Sequence, residues 1–572
     1  MGLSPQVTLL AVIFVQLAFC NIGILGRRLS TADSPLNQGF TGQLAERPRH
    51  EKVIVFKSWS ALREAWQACS GLPNSAAAAT AAPDQGNGSL GGNSPDASIT
   101  SANPSCHFPG VCVRLYMTAV PGFAGSFTDA QYKQFVDCYG HSIKYAEDDI
   151  QVVKAEGPQL IPGLHERRRK LLNSTSIPID GQDTDEFAGV DNSEDSTNSP
   201  QLLALEAPLQ KGAGNLSTSG LLSSYFSYGS DGVLAAGTGV KQQLLQRASW
   251  NLDRLDQHSP VIDGIYRFGR QTTVETGKKV TIYTIDSGIR KTHQEFQAWS
   301  GGHGRASYGW NFAGGANDAN ASDCDGHGTH VASTAVGRTV GVAKEASVVA
   351  LRVLDCAGSG RISDVVAALD WLATNHVSPA IATLSLGVPE GQWSEVLSDS
   401  VSHLIQDHAV TVIVAAGNSA VDSCLMSPGN VNGTLNVAAS DLGPQKFNGP
   451  QSDATDSIYQ YSNTGSCVDL FAPGTNILAA CGGAGRCNKL NDSAYAWASG
   501  TSMAVPHAAG VAAIYLADHP NASPKQVIQA ITSVAIKNSI QSTALLPGTP
   551  NLLLTSDLYG DYSSRVTAAA GP

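Results

Sequence analysis

Between residues 279 and 534, apolar segments of strand length alternate with longer segments that have helical spacing. The apolar runs predict strands at 279–285, 346–354, 381–386, 410–416 and 435–440, and the spaced segments predict helices at 329–337, 363–375, 394–408, 504–518 and 523–534. Strands that are apolar along most of their length, separated by helices, indicate a mostly parallel sheet covered by helices on both faces. Ligands bind such sheets beyond the carboxyl ends of the strands. We therefore expect an α/β fold with its functional residues at those strand ends.

A serine lies where such a fold can activate it. The segment Gly-Thr-Ser-Met-Ala-Val-Pro-His (500–507) places Ser502 at the start of the apolar run 504–516, which predicts a buried helix. Backbone N–H groups at a helix N-terminus favour negative charge, and this suits a nucleophile whose attack creates an oxyanion. Taken alone, the segment is also compatible with a structural turn.

Two upstream motifs add a carboxylate and an imidazole. Asp286 follows a β-branched run in Thr-Ile-Asp-Ser-Gly (284–288), so it is predicted at the end of a buried strand, although a turn-forming aspartate has the same local pattern. His327 lies in Asp-Gly-His-Gly-Thr-His-Val-Ala-Ser (325–333), where flanking glycines let its ring approach another side chain. His330 raises the alternative of a metal site. However, the pattern is not His-Glu-x-x-His and no nearby carboxylate completes a zinc set.

Asp286, His327 and Ser502 occur in the order Asp…His…Ser, which is the order of subtilisin. On these three motifs the chain resembles the subtilisin-like serine proteases, the subtilase family, and within it the proteinase K and aqualysin branch, over residues 250–554. The resemblance implies a subtilisin-like three-layer fold and a serine endopeptidase. It implies that His327 takes the proton of Ser502 as general base while Asp286 orients the imidazole.

The resemblance also assigns the groups that would hold the oxyanion and the substrate. Asn418, at the end of the predicted strand 410–416, corresponds to the family's oxyanion-hole side chain, alongside the backbone N–H of Ser502. An extended peptide would pair as an added strand with two backbone segments. These substrate-binding residues are Gly358, Ser359, Gly360, Ser385, Leu386 and Gly387, and Ala415 and Ala416 complete an open, apolar pocket for the residue before the cut.

The chemistry predicted for this site requires no cofactor, but relatives close to proteinase K bind structural calcium. The resemblance implies Asp469 as the carboxylate ligand, with the carbonyl oxygens of Asn432 and Thr434, and oxygen ligands suit calcium. A loop aspartate without an ion is the alternative.

The N-terminal part predicts export and a precursor. An apolar run at 8–19, too short to span a bilayer comfortably, indicates a secretory signal peptide at 1–20, with a membrane anchor as the alternative. Residues 50–155 contain predicted strands at 51–57, 111–117 and 142–153 and a helix at 129–139. The segments 120–127 and 145–149 resemble the inhibitor-like propeptide of subtilisin relatives, which implies a zymogen inhibited by its own propeptide and cut past Val153. A permanent binding domain is the alternative.

A polar segment at 156–240, with the basic run Arg167–Lys170, predicts a disordered linker with processing sites before a catalytic domain at 245–560.

The chain has 11 cysteines. Cys20 would leave with the signal peptide, and the remaining four cysteines before the catalytic domain and six within it are even numbers, which indicate disulfides and an oxidising compartment. The six cysteines of that domain allow fifteen pairings. The resemblance implies Cys324–Cys356 and Cys424–Cys467, which leaves Cys481–Cys487 as a short local loop.

A net charge of −12 argues against nucleic acid as a partner. We expect a monomer without stable membrane association, extracellular or vacuolar, that acts on protein or peptide substrates. Acceptor sequences for N-glycosylation occur at Asn87, Asn173, Asn215, Asn320, Asn432, Asn491 and Asn521. Two other functions use the same sequence features: a binding protein that retains a protease fold, and acyl transfer to an acceptor other than water.

Overall fold

The computed structural model describes residues 49–70, 106, 108, 111–157, 241–244, 249–268, 277–297, 304–443, 455–484, 487 and 491–560. The predicted signal peptide, the basic run and residues 158–240 of the predicted linker lie outside this part. In the described residues, no helix combines the length and the apolar character needed to cross a bilayer.

The strands, in chain order, are β1 (Arg49–Phe56), β2 (Cys112–Leu115), β3 (Gly122–Thr128), β4 (Ile143–Asp148), β5 (Gln151–Lys154), β6 (Lys241–Leu244), β7 (Ile265–Phe268), β8 (Thr281–Asp286), β9 (Ala306–Asn311), β10 (Ser347–Arg352), β11 (Ser359–Arg361), β12 (Ala380–Leu384), β13 (Leu386–Gly387), β14 (Thr411–Ala415), β15 (Leu435–Leu442), β16 (Asp456–Ile458), β17 (Leu470–Pro473), β18 (Ile477–Ala480), β19 (Tyr495–Ala498), β20 (Ile536–Lys537) and β21 (Leu552–Leu553). The helices are α1 (Trp59–Ser70), α2 (Asp129–Tyr139), α3 (Trp250–Leu255), α4 (His327–Val336), α5 (Ile362–Asn375), α6 (Glu395–His408), α7 (Thr501–Asp518) and α8 (Pro524–Val534).

The main sheet runs in the order β20-β21-β17-β15-β14-β12-β8-β10-β9, with β16 paired to β15. The pairs from β9 to β21 are parallel, and β16 and β20 are antiparallel additions. All the strands and helices predicted in the catalytic region are present, with ends shifted by a few residues. The expectation of a mostly parallel α/β sheet is therefore confirmed.

Helices cover both faces of this sheet. Along β8, Ile282 belongs to a buried cluster that includes residues of α4, α7 and α8, whereas Tyr283 and Ile285 belong to a second cluster with residues of α5 and α6. Successive residues of a strand point to opposite faces, so two separate cores sandwich the sheet. Helix α7 is buried along most of its length, which agrees with its apolar composition on all sides.

Near the N-terminus, β1–β4 and helices α1 and α2 form a smaller unit, here called the N-terminal module. Its sheet order is β2-β3-β1-β4, and its pairs are antiparallel. Its core is aromatic: the ring of Phe135 lies 5.7 Å from that of Phe123 and 5.4 Å from that of Phe127. Two disulfides, Cys69–Cys112 and Cys106–Cys138, tie its helices to the rest of the module.

Sequence analysis missed two elements of this module. Helix α1 buries Leu62, Ala65 and Cys69, and this spacing of three and four residues was a usable helical signal. Strand β3 contains two glycines, which weaken a strand pattern. Gly122 is required by packing, because a Cβ there would lie 2.6 Å from the carbonyl oxygen of Ile54.

The single strand predicted at 142–153 is wrong, because the structure divides it into β4 and β5. At the break, the Asp149 carboxylate accepts hydrogen bonds from the Ser363 backbone N (2.9 Å) and hydroxyl (2.7 Å) at the start of α5. Strand β4 stays in the module, whereas β5 pairs with β11 and β13 of the large domain. The break thus carries the chain from the module into the cleft of the large domain.

Three disulfides lie in the large domain: Cys324–Cys356, Cys424–Cys467 and Cys481–Cys487. They are the same pairs that the sequence analysis gives. Of the glycosylation acceptors, the four that lie among the described residues have exposed side chains; they are Asn320, Asn432, Asn491 and Asn521.

Candidate active site

Asp286 and His327 form a buried pair at the carboxyl edge of the main sheet. Asp286 is the last residue of β8 and His327 the first residue of α4, and both side chains are fully buried. His327 Nδ1 lies 2.8 and 2.9 Å from the two carboxylate oxygens of Asp286. With Nδ1 donating to the carboxylate, Nε2 keeps a lone pair, and Nε2 has no hydrogen-bond partner among the described residues. The pair therefore presents a base that is free to accept a proton.

The close approach of α4 to β8 depends on Gly328. A Cβ at this position would lie 2.2 Å from the carbonyl oxygen of Gly288 and 3.1 Å from Asp286 Oδ1. A side chain there would push the start of α4 away from the strand end. The glycine after His327 thus has a packing role at the Asp286–His327 pair.

Ser502 is the second residue of α7, at the buried N-terminal end of that helix. Its backbone N–H donates to the carbonyl oxygen of Ala155 at 2.9 Å. Its hydroxyl donates to the carbonyl oxygen of Ser385 at 2.9 Å, not to His327. The proposed nucleophile and base are therefore not hydrogen-bonded in this state, and the hydroxyl must leave Ser385 before it can give its proton to Nε2.

Asn418 and Ser502 converge on one oxygen atom. Asn418 Nδ2 donates to the Ala155 carbonyl oxygen at 2.6 Å, and the backbone N–H of Ser502 donates to the same atom. The amide of Asn418 is oriented from its other end, because its Oδ1 accepts a hydrogen bond from the Thr501 backbone N at 2.9 Å. Two fixed donors on one carbonyl oxygen are the arrangement that stabilises negative charge on that oxygen.

The chain that carries Ala155 lies in the cleft as an extended central strand. Strand β5 is antiparallel to both β11 and β13, so the predicted substrate-binding segments at 358–360 and 385–387 flank it on two sides. The Lys154 N donates to the Gly358 carbonyl oxygen (3.1 Å) and the Ala155 N to that of Ser385 (2.9 Å). Beyond Ala155, the Gly157 N donates to the carbonyl oxygen of Ser499 at 2.9 Å. A peptide is thus held on both sides of the Ala155–Glu156 bond.

Gly500 makes room for this bond. Its φ of +140° is unfavourable for other residues. A Cβ there would lie 2.9 Å from the Ala155 carbonyl oxygen and 3.1 Å from the Glu156 Cα. Ala415 and Ala416, predicted as pocket residues, are buried at the end of β14, and Ala415 belongs to the same buried apolar cluster as Ala155.

Sequence reasoning did not find the residues that occupy or support this cleft. Ala155 had no motif of its own, and Thr501 and Ser499 act through backbone atoms, which side-chain chemistry does not reveal. A cut was expected somewhere past Val153, and in the structure the carbonyl oxygen of Ala155, two residues later, accepts hydrogen bonds from Ser502 N and Asn418 Nδ2.

The N-terminal module also caps two helices of the large domain. The Glu147 carboxylate accepts hydrogen bonds from the Ser394 hydroxyl (2.5 Å) and the Glu395 backbone N (3.0 Å) at the start of α6. The Asp149 carboxylate likewise accepts hydrogen bonds from the backbone N and the hydroxyl of Ser363 at the start of α5. Negative charge at a helix N-terminus is favourable, although burial raises the pKa of both carboxyl groups. The module is therefore docked by polar contacts outside the cleft as well as by β5.

His330 has a structural role. Its Nε2 lies 3.0 Å from the carbonyl oxygen of Ile477 and 3.2 Å from that of Ala496, so the ring ties α4 to the β18–β19 hairpin. Within the described ranges, no group of three or more His, Cys, Asp or Glu side chains is arranged to hold a metal ion.

The predicted calcium ligands lie just before two adjacent strands, β15 and β17. One oxygen of Asp469, Oδ2, accepts a hydrogen bond from the Asn436 backbone N at 2.7 Å, and burial raises the pKa of this carboxyl to about 6. Thr434, two residues before Asn436, is buried, and Asn432 is exposed. The half-buried carboxylate of Asp469 supplies the kind of oxygen ligand that calcium prefers.

His507 links the helix of Ser502 to the start of the domain. Its Nδ1 donates to the Met503 carbonyl oxygen (2.7 Å) and its Nε2 accepts from Asn251 Nδ2 (2.8 Å). Both contacts suit the neutral ring. Because the ring is buried, the pKa of His507 falls to about 4.

We expect protonation of His507 to destabilise the large domain in acid. The pKa of His507 in the folded protein lies below the unfolded value near 6.5. The free energy of unfolding therefore decreases by about 3 kcal/mol as the pH falls from about 6.5 to 4. Urea unfolding at several pH values would measure this loss. His507→Gln should show a smaller loss over the same range, and equal pH dependence in the two proteins would contradict this role.

The model of the subtilase family, Peptidase S8, matches residues 277–560. The extracellular serine proteinase of Thermus sp. (strain Rt41A) is 41% identical over 307 residues, which cover 54% of this chain and 66% of that protein. The alkaline serine exoprotease A of Vibrio alginolyticus is 40% identical over 309 residues, which cover 54% of this chain and 50% of that protein.

A cuticle-degrading serine protease of Arthrobotrys oligospora is 35% identical over 306 residues, which cover 53% of this chain and 67% of that protein.

The α/β fold and the site define a hydrolase-like cleft at the carboxyl edge of a parallel sheet. The chain belongs to the subtilase family. It spans 66% and 50% of the length of the Thermus and Vibrio relatives.

Proposed function

We propose that this chain is a serine endopeptidase made as a zymogen, in which the N-terminal module is the propeptide. The observation that carries the proposal is the position of the Ala155 carbonyl oxygen, which accepts hydrogen bonds from Ser502 N and Asn418 Nδ2 at 2.9 and 2.6 Å. A peptide carbonyl between two fixed donors, beside a serine hydroxyl, is the starting arrangement for acyl transfer.

In the proposed reaction, the Ser502 hydroxyl leaves Ser385 and attacks the substrate carbonyl carbon, while His327 Nε2 takes its proton. Asp286 holds the other ring nitrogen and stabilises the imidazolium. The carbonyl oxygen becomes an oxyanion between Asn418 and the Ser502 N–H. Collapse of this intermediate breaks the peptide bond, and His327 gives its proton to the leaving amine. Water, deprotonated by the same imidazole, then hydrolyses the acyl-enzyme and restores Ser502.

The first bond cut in this proposal is the chain's own Ala155–Glu156 bond. Its carbonyl lies at the two oxyanion donors, and the chain is paired before and after it. After the cut, β5 still fills the cleft and Glu147 and Asp149 still cap two helices of the domain. The freed module would therefore remain bound as an inhibitor until it is removed or degraded.

Two measurements test the proposed activity on the domain that is purified free of its module after expression of the full chain. A fluorophosphonate should attach to Ser502, located by mass spectrometry of peptides, and the labelled protein should no longer hydrolyse casein. If the purified, module-free domain neither reacts nor hydrolyses casein, the chain is instead a binding protein on a protease fold. If amine acceptors capture most of the acyl product in preference to water, acyl transfer is its main activity.

We also propose a structural calcium site. A calcium ion would bind Asp469 and the carbonyl oxygens of Asn432 and Thr434, and it would stabilise the loop between two strands of the sheet. A chelator should therefore lower the thermal midpoint of wild type but not of Asp469→Asn. We also propose that the protein is secreted and N-glycosylated, because the Thermus relative is named extracellular and the four acceptor asparagines in the described part are exposed.

A further inference from the structure

Lys154, the residue before Ala155, places its ammonium group in an acidic recess beside the cleft. Its Nζ lies 3.0 and 2.8 Å from Oδ1 and Oδ2 of Asp325 and 3.6 Å from Glu156 Oε2. The Asp325 side chain is 8% exposed and that of Lys154 is 24% exposed. The recess is open enough for the lysine stem because residue 358 is glycine, where a Cβ would lie 2.6 Å from Lys154 Cδ.

The large domain itself fixes the carboxylate of Asp325. Its Oδ1 accepts a hydrogen bond from the backbone N of His327 at 3.0 Å, and its own backbone N donates to Asp323 Oδ1 at 3.1 Å. The preceding residue, Cys324, is tied to Cys356 by a disulfide. Asp325 is therefore built into the wall of the cleft, next to the general base, and is not placed there by the module.

We propose that Asp325 makes this enzyme select lysine or arginine at the second residue before the cut. The inference rests on the proposed function, because it concerns the substrates of the same cleft. A cationic side chain at this position gains a charge-assisted, two-oxygen contact in a place partly shielded from water, where such contacts are strong. An uncharged side chain of equal length fills the same space without that contact.

The residues around Lys154 add to this preference. Val152, three residues before Ala155, is fully buried in the apolar cluster of α5. Ala155 itself is small and buried. The cleft thus holds an apolar residue, a cation and a small residue at the fourth, second and first positions before the bond.

The chain's sequence contains this order again shortly before α3, as Leu-Gln-Arg-Ala (245–248) followed by Ser249. These four residues lie outside the described part. As a free peptide, the segment offers a leucine, an arginine and an alanine at the three selected positions. We expect the enzyme to cut this peptide after Ala248.

The test uses synthetic peptides and the active, module-free domain. One peptide set spans residues 150–159 with lysine, norleucine or glutamate at position 154, and the other spans 244–253 with arginine or norleucine at position 247. We expect kcat/KM for the lysine and arginine peptides to exceed that for the norleucine peptides by about tenfold or more, and the glutamate peptide to be the slowest. The advantage should shrink at high ionic strength.

Asp325→Asn should abolish most of this advantage, measured as the ratio of kcat/KM between the lysine and norleucine peptides within the same protein, and its turnover of the norleucine peptides is measured in parallel. That turnover also shows that the variant is folded and active. Asp518→Asn, which removes a carboxylate at the far end of α7, is the matched control and should keep the full advantage. Equal kcat/KM for lysine and norleucine peptides in wild type, or an unchanged ratio in Asp325→Asn, would overturn the inference without touching the proposed function. Failure to cut any peptide would instead refute the proposed function.

Discussion

Replacing Ser502 by alanine is expected to leave the chain as one uncut polypeptide with no measurable casein hydrolysis. The substitution removes the hydroxyl but keeps the backbone N–H that holds the Ala155 carbonyl oxygen at 2.9 Å. The module should therefore stay in the cleft with its Ala155–Glu156 bond intact. We expect activity to fall by roughly four orders of magnitude or more, since without the nucleophile only the binding and electrostatic contributions remain.

The measurement is the intact mass of the purified chain together with its rate of casein hydrolysis. The control is Ser419→Ala, an exposed serine after Asn418, which should be processed and active like wild type. Separation of Ser502→Ala into module and domain when it is expressed alone would contradict the account, because cleavage would then not depend on this hydroxyl.

Replacing Asp286 by asparagine is expected to lower kcat by about four orders of magnitude while leaving the fold intact. In wild type, His327 Nδ1 donates to the carboxylate at 2.8 Å. An asparagine amide can instead donate to Nδ1, which moves the ring proton to Nε2 and removes the lone pair that accepts the Ser502 proton. The same change in a protease of unrelated fold with this triad has an effect of that size.

Steady-state kinetics of Asp286→Asn on a cleaved peptide, together with its thermal midpoint, would test this role. Asp492→Asn removes an exposed carboxylate from the same domain and should retain wild-type kcat. A kcat for Asp286→Asn within tenfold of wild type, in a folded protein, would show that the buried Asp286–His327 pair does not set the tautomer of the base.

Much of the large domain was predictable from local pattern. Buried parallel strands are apolar along their length, so β8, β10, β12, β14 and β15 were visible as short apolar runs. Asp286 was placed at a strand end because the run before it stops there. The helix of Ser502 was visible because it is apolar on all sides.

The occupied cleft was not predictable in this way, because its contacts join distant parts of the chain. Lys154 and Asp325 are 171 residues apart, and neither lies in a motif that identifies the other. Strand β5 was merged with β4 because both are extended, and the features that separate them, the contact of Asp149 with α5 and the pairing of β5 with β11 and β13, are long-range. The role of a backbone donor, such as the N–H of Thr501, cannot be predicted from the chemistry of its side chain.

The position of the first cut tests the central claim most directly, since the account places a single peptide bond at the oxyanion donors. Expression of the full chain, followed by mass spectrometry of the separated N-terminal module, should give a fragment that ends at Ala155. A module that ends at another residue, or a wild-type chain that stays intact under conditions in which it is folded, would contradict the proposal that Ser502 and Asn418 hold the reacting carbonyl.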